Sequence, residues 1–211
     1  MNDTFCPTPT AVRWDLVFEP ATRSASDALS KWTRGRVGLT LDEVRETSLD
    51  EVAAALPADE EPVTMVIVGV EGQAGGRLIL AFDDTGVTEL VALLLNRPVE
   101  SSGHWGELEI SALAETGNIF GSAYLNAMSQ FVGARLLPSP PHIVRDYAAG
   151  AIEQAVVFQA VESDEILFCR TRLSGSAGGI GVTAFFVPTT DLLDVLRTSV
   201  SQRMSAGEAS Q

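Results

Sequence analysis

Ser111, Glu115 and Asn118 stand at i, i+4 and i+7 of one helical stretch, and Pro141 follows Asn118 after twenty-two intervening residues. At about 100° per residue these three share a narrow polar arc with Ser122 and Asn126. Ile110, Leu113, Phe120, Tyr124, Ala127, Met128 and Phe131 gather on the opposite side, which makes it the expected core face. Gly117 falls on that core face, where a missing side chain permits close approach of a sheet or helix, and Ile119 and Leu125 flank the arc. Such a wet face can do limited chemistry. A carboxamide offers an acceptor and donors together, so it holds a water molecule in one orientation without gaining or losing a proton. By default a Ser/Glu/Asn stripe is only the solvated side of an amphipathic helix.

No other nucleophile or base competes for attention. His104 and His142 lie on opposite sides of the helix in sequence, and neither has a Cys or His partner at metal-ligand spacing. Gly175-Ser-Ala-Gly178-Gly179-Ile-Gly181 lacks the Lys-Ser/Thr of a phosphate loop and sits between two strand-like runs, as a hairpin loop would. The acidic run Asp59-Glu60-Glu61 reads as a solvated loop, since no further hard ligands stand at loop-binding spacing.

The order Ser/Asp-x3-Glu-x2-Asn-x22-Pro is continued by Ser122-x-Tyr124-Leu125-Asn126-Ala127, Pro138-Ser139-Pro140-Pro141 and Ala149-Gly150-Ala151-Ile152. Together these resemble the signature of the CheC/CheX/FliY family of chemotaxis phosphatases, and most of all a stand-alone CheC with a single intact site. The resemblance implies hydrolysis of the aspartyl phosphate of a CheY-type response regulator. It implies that Asn118 orients the attacking water and that Glu115 pairs with the regulator's active-site lysine, while Ser111 and Pro141 shape the site. An acyl phosphate already carries a good leaving group, so placing water in line and stabilising charge is sufficient help. No cofactor of the chain's own is implied, because Mg2+ arrives on the regulator. The alternative is a non-catalytic interaction protein of the chemotaxis or flagellar switch machinery, binding phosphorylated CheY or the receptor deamidase CheD. Switch proteins usually carry a further C-terminal assembly domain, for which the residues after Arg203 leave no room, and this favours the phosphatase.

The elements that must position the stripe come in duplicate. Ala28 to Val37 superposes on Ala127 to Leu136 at an offset of ninety-nine, and the Gly75-Gly76 and Ala81-Phe82 block superposes on Gly178-Gly179 and Ala184-Phe185 at one hundred and three. The unit reads as helix, strand, short helix, two hairpin strands, helix. Strands are expected at Val63–Val70, Gly76–Phe82, Val156–Val161, Ile166–Leu173 and Gly181–Val187, with helices at Thr85–Leu95 and Thr190–Arg203 entered through capping Thr or Asp residues. The expected architecture is α/β, a CheC-like pseudo-two-fold internal repeat with an antiparallel sheet and long helices packed on it. Residues 1–211 form one domain in this reading, with repeat one at about 20–97 and repeat two at about 104–203. Residues 1 to about 18 read as an arm and 204–211 as a frayed tail. The offset places Val12, Leu16, Glu19 and Asp42 where Ser111, Glu115, Asn118 and Pro141 stand, so the first repeat retains no site; Pro20 is expected to keep its helix from running through from Val12.

Composition sets the setting. Two hundred and eleven residues, 45% hydrophobic, suffice for a sizeable core. A net charge of -14, with thirteen Arg and one lysine, Lys31, argues against nucleic acid and anionic membrane surfaces, which need clustered cations. So acidic a surface fits an ordinary cytosolic protein or a high-salt host. Cys6 and Cys169 give no disulfide framework, and no apolar segment is long enough for a membrane span or a standard signal. A cytoplasmic protein is expected.

Overall fold

The computed structural model describes residues 12–48, 51, 62–72, 75–99, 105–147, 150, 166–175 and 178–208. Cys6, Asp59–Glu61, His104 and the expected strand Val156–Val161 lie outside the described residues, as do most of the two short helices. In chain order the elements are α1 (Asp15–Trp32), β1 (Gly38–Thr47), β2 (Pro62–Gly72), β3 (Gly76–Phe82), α2 (Asp84–Leu95), α3 (Glu107–Val132), β4 (Leu136–Pro138), β5 (His142–Tyr147), β6 (Ile166–Gly175), β7 (Gly178–Pro188) and α4 (Thr190–Glu208).

The seven strands form one antiparallel sheet in the order β1-β6-β7-β3-β2-β4, with β5 also paired to β2. This order is the repeat made visible. β1, β6 and β7 on one side correspond to β4–β5, β2 and β3 on the other, and the pseudo-two-fold passes between β7 and β3. Ser24 Oγ donates to the carbonyl of Ala123 at 3.1 Å, and these residues are related by the offset of ninety-nine, so α1 and α3 meet where the two halves are related.

Strand β2 shows why the sheet strands read as near-continuous apolar runs. Val66, Val68 and Val70 face the helices, while Val63, Met65 and Ile67 join Ile79, Val144, Phe168 and Phe185 on the other face, and both sets are buried. Helix α2 begins where the sequence marks it: Asp83 caps the helix by accepting from the Gly86 amide at 2.6 Å.

Both termini extend further into the fold than expected. Helix α1 starts at Asp15 and runs through Pro20, which forfeits one bond to the Leu16 carbonyl at a usual cost of about 3 kcal/mol. The turn before Pro20 carries Val17 and Phe18, 1% and 0% exposed, and burial of such side chains contributes about 1.5–3 kcal/mol each. Burial outweighs the lost bond. Phe18 packs edge-on against Tyr124 and Phe186, and Trp14 against Phe18, so residues 14–18 are core and not an arm. At the other end α4 continues to Glu208, with Met204 packed against the main core, where a frayed tail was expected from residue 204. The glycine-rich stretch is also more regular than a loop: β6 and β7 stay paired out to Gly175 and Gly178.

Candidate functional site

Helix α3 carries the stripe on twenty-six residues. Ser111, Glu115, Asn118, Ser122 and Asn126 are all exposed, and Leu113, Phe120, Tyr124 and Met128 are buried beneath them. Two core-face expectations fail in instructive ways. Ile110, in the first turn of α3, is 44% exposed. Leu125, expected as an exposed flank, is 0% exposed and belongs to the main core, while Ile119 is half-buried against it.

Close approach of α3 to the sheet is made by glycine. A Cβ on Gly117 would lie 2.6 Å from Val66 Cγ1 and 3.0 Å from Cβ and Cγ of Pro141, and one on Gly121 would lie 3.0 Å from Val68 Cγ1. The helix backbone therefore rests directly on β2, with Pro141 wedged beside the residue that precedes Asn118. This contact explains the spacing of twenty-two. After Asn118 the chain completes α3, turns at Gly133 with φ 68°, and is caught by Ser129, whose Oγ accepts from the Leu136 amide at 2.9 Å and donates to its carbonyl at 3.2 Å. The chain then returns along β2 towards the middle of the helix.

A bulge sets Pro141 in place. Pro138 pairs with Val70 and His142 with Ile67, so residues 139–141 oppose only Val68 and Gly69. Ser139 repairs the ladder at this point. Its amide donates to the Gly69 carbonyl and its Oγ accepts from the Gly69 amide, both at 2.9 Å. Pro140 and Pro141 have no N–H to leave unpaired, which is why a bulge at the sheet edge tolerates both. Sequence reasoning missed this clasp of Gly69 and Ser139, although a glycine inside an otherwise apolar strand is a known sign of close backbone approach.

The first repeat has the same bulge and none of the matching side chains. Between Leu41 and Glu43 the β1–β6 register slips by one residue, leaving Asp42 extra at the position that corresponds to Pro141. Asp42 accepts two hydrogen bonds from Arg172, at 2.7 Å each, and Arg172 corresponds to Gly69 at the second offset. An ion pair thus occupies the place of the Ser139–Gly69 clasp. The guanidinium hydrogen-bonded to it holds the Asp42 carboxyl below the usual carboxylate range. Glu19 is exposed on α1, and Leu16 is packed at the margin of the core.

Around the intact stripe, Ser111, Glu115 and Asn118 make no side-chain hydrogen bond or ion pair among the described residues, so their polar groups face outward uncommitted. One helical turn nearer the N-terminus, Glu109 pairs with Arg97 and ties α3 to the end of α2. Bonding to its own backbone amide, together with Arg97, holds the Glu109 carboxyl low. His142 does not join the site: its cross-strand partner Ile67 faces the cluster on the far side of the sheet, so the imidazole projects away from α3. Cys169 is a free, buried thiol and Tyr124 a buried phenol; burial pushes both groups up, which makes neither a nucleophile near neutral pH. Among the described residues no three His, Cys, Asp or Glu side chains converge in a way that could hold a metal ion.

The CheC-like family matches residues 108–145, the segment from the first turn of α3 to the middle of β5. The CheY-P phosphatase CheC of Bacillus subtilis is 24% identical over 135 residues, covering 63% of this chain and 65% of that protein, which is less than two thirds of its length. The fold is shared with FliY of Thermotoga maritima, at a TM-score of 0.67 and 19% identity over 89% of this chain and 95% of that one. It is shared as well with the CheX–CheY–BeF3–Mg2+ complex of Borrelia burgdorferi, at 0.52 and 16% identity over 82% and 97%. No described helix is long and apolar enough to cross a membrane. Ser111, Glu115, Asn118 and Pro141 all lie inside the segment that is similar to the CheC-like family, and the fold built around that segment is the one shared with FliY and CheX.

Proposed function

We propose that the chain is a phosphatase of the aspartyl phosphate on a CheY-type response regulator, acting through Glu115 and Asn118. The observation that carries this reading is the placement of an uncommitted carboxylate and an uncommitted carboxamide on one exposed face of α3, beside the Pro141 wedge. A helix that projects two side chains outward can carry them into the site of a partner protein. In the proposed step Asn118 Oδ1 accepts a hydrogen bond from a water molecule and its amide donors fix the water's direction. The water oxygen attacks phosphorus, the bond from phosphorus to the aspartyl oxygen breaks, and inorganic phosphate and the free carboxylate leave. Glu115 binds the regulator's active-site lysine, aligning the two proteins. Mg2+ would be held by the regulator, and the reaction would take place in the cytoplasm. Ser111 and Pro141 would shape the site without reacting, with Pro141 fixing the depth of α3 beside Asn118. The degenerate first repeat supports one site per chain.

The test is phosphate release from a phosphorylated CheY-type regulator with and without the protein. Asn118→Ala is expected to abolish the acceleration, by about 100-fold or more, while leaving binding of the regulator nearly unchanged. Glu115→Ala lowers both. Full acceleration by the Asn118 variant in a single turnover would refute the mechanism.

A further inference from the structure

The reacting pair offers too little surface to hold a protein by itself. From Ser111 to Asn118 the polar arc is about 10 Å long and no wider than the helix, about 10–12 Å, whereas a standard interface covers about 800 Å² on each partner, a disc of about 16 Å radius. A partner that engages Glu115 and Asn118 must therefore cover what borders them. Towards the C-terminus that border is already taken: Leu125, beside the arc, is fully buried, and Ser24 of α1 donates to the Ala123 carbonyl, so α1 packs on α3 there. Towards the N-terminus it is open.

Leu108 and Ile110 are 57% and 44% exposed. They are two of the six exposed large apolar side chains among the described residues, and they share the turn before Ser111, so they are a pair and not scattered surface residues. Leu108 stands two turns before Glu115 and Ile110 two turns before Gly117, each about 20° from the later residue's meridian. They thus border Ser111 on opposite sides, Leu108 on the flank of Glu115 and Ile110 on the flank where Gly117 meets Pro141. From the point midway between Glu115 and Asn118, each lies about 14 Å away on the surface of a helix of about 5–6 Å radius, inside the footprint. The turn that bears them is fixed from behind. Between them, the Glu109 carboxylate bonds the backbone amides of Gly106 and Glu109, as in a capping box, and pairs with Arg97. Side chains on a turn already held in place lose less freedom when a partner covers them.

We propose that Leu108 and Ile110 are the apolar contact that holds the regulator: an apolar patch of the regulator, beside its phosphorylated aspartate, closes over them while Glu115 and Asn118 reach the phosphoryl group. The inference rests on the phosphatase reading for its partner, and its own content is that two apolar side chains outside the reacting pair set the affinity. Contacts of this kind are equally strong in the bound complex and in the transition state, so they act on KM and leave kcat.

The experiment measures KM and kcat for phosphate release from a phosphorylated CheY-type regulator and, by calorimetry, the affinity and heat capacity of binding of the beryllofluoride-loaded form. Leu108→Ser and Ile110→Ser are each expected to raise KM and Kd about fivefold, and the double variant about twentyfold, with kcat kept, since each side chain gives up about half of a full apolar burial. The heat-capacity change of binding becomes less negative, and the loss is the same at 0.01 M and 0.15 M salt, as it would not be for a charged contact. Leu108→Met, which keeps the apolar volume, stays near wild type. Unchanged KM and Kd in the double variant would overturn the proposal. So would a loss of affinity accompanied by a lower melting temperature, the mark of a structural role. A wild-type dimer that the double variant dissolves, with Kd for the regulator unmoved, would overturn it too, because the occupant would then be a second copy of the chain. Regulator binding by the wild type without phosphate release would end the catalytic reading, while a fivefold loss of affinity in each Ser variant would still support the contact. No binding at all by the wild type would end both.

Discussion

Gly117→Ala separates the two roles of the helix. The added Cβ would sit 2.6 Å from Val66 Cγ1 and 3.0 Å from two carbons of Pro141, against an ordinary carbon–carbon contact of about 3.5–4.0 Å. Val66 cannot yield easily. It is fully buried on a strand hydrogen-bonded to β3 on one side and β5 on the other, so α3 must lift by about 1 Å. Overpacking of this kind costs about 1–3 kcal/mol, and replacing glycine by alanine inside a helix returns about 1 kcal/mol of propensity. The net expectation is a loss of about 0–2 kcal/mol in urea denaturation. Activity should fall further, because a displacement of about 1 Å between Asn118 and its target is worth about 100-fold. Gly121→Ala is the control: its Cβ would meet Val68 methyls at 3.0 and 3.3 Å, a misfit of a few tenths of an ångström that the propensity gain roughly cancels. Stabilisation of the Gly117 variant by about 1 kcal/mol, with phosphate release at the wild-type rate, would refute the reasoning, for it would mean that helix and sheet are not in the contact described.

Other consequences are open to simpler measurements. Ser139→Ala removes the acceptor of the Gly69 amide and should lower stability by about 1–3 kcal/mol in urea, together with a rise in KM as the bulge carrying Pro141 loosens; unchanged stability would mean that water replaces the hydroxyl without loss. The Asp42 carboxyl, lowered by Arg172, contributes stability at pH values above its unfolded value, and that contribution fades as pH falls through the lower folded value. Carboxyl carbon NMR should show an Asp42 midpoint below the usual range that returns to about 3.9 in Arg172→Gln, and an unmoved midpoint would contradict the pairing. Glu19→Ala should leave phosphate release unaltered, and calorimetry with beryllofluoride-loaded regulator should give one regulator per chain; two equivalent sites would show that the first repeat still binds.

Local rules were enough for those features in which a residue's own neighbours along the chain decide its state. The polar arc of α3, the cap at Asp83, the apolar runs of β2, β3, β6 and β7, and the repeat offsets were all legible in this way, because helix and strand periodicities are short. The exposed arc of Ser111, Glu115 and Asn118 was legible as a pattern, with Gly117 marked as a place of close approach. What pressed against Gly117 was not. Val66 lies fifty-one residues before it and Pro141 twenty-four after it, and only the pairing of β2 with β4 and β5 brings them together. The same limit explains the misreadings. Pro20 looks like a helix stop until Val17 and Phe18 are seen buried against a distant strand and helix, since tertiary burial outweighs one lost hydrogen bond. Ile110 and Leu125 exchange their expected roles because a helical wheel records angle and not which neighbouring elements cover each turn. Spacing along the chain could thus mark the polar arc of Ser111, Glu115 and Asn118, but what α3 and Pro141 press against depends on contacts between segments far apart in sequence, which no local periodicity encodes.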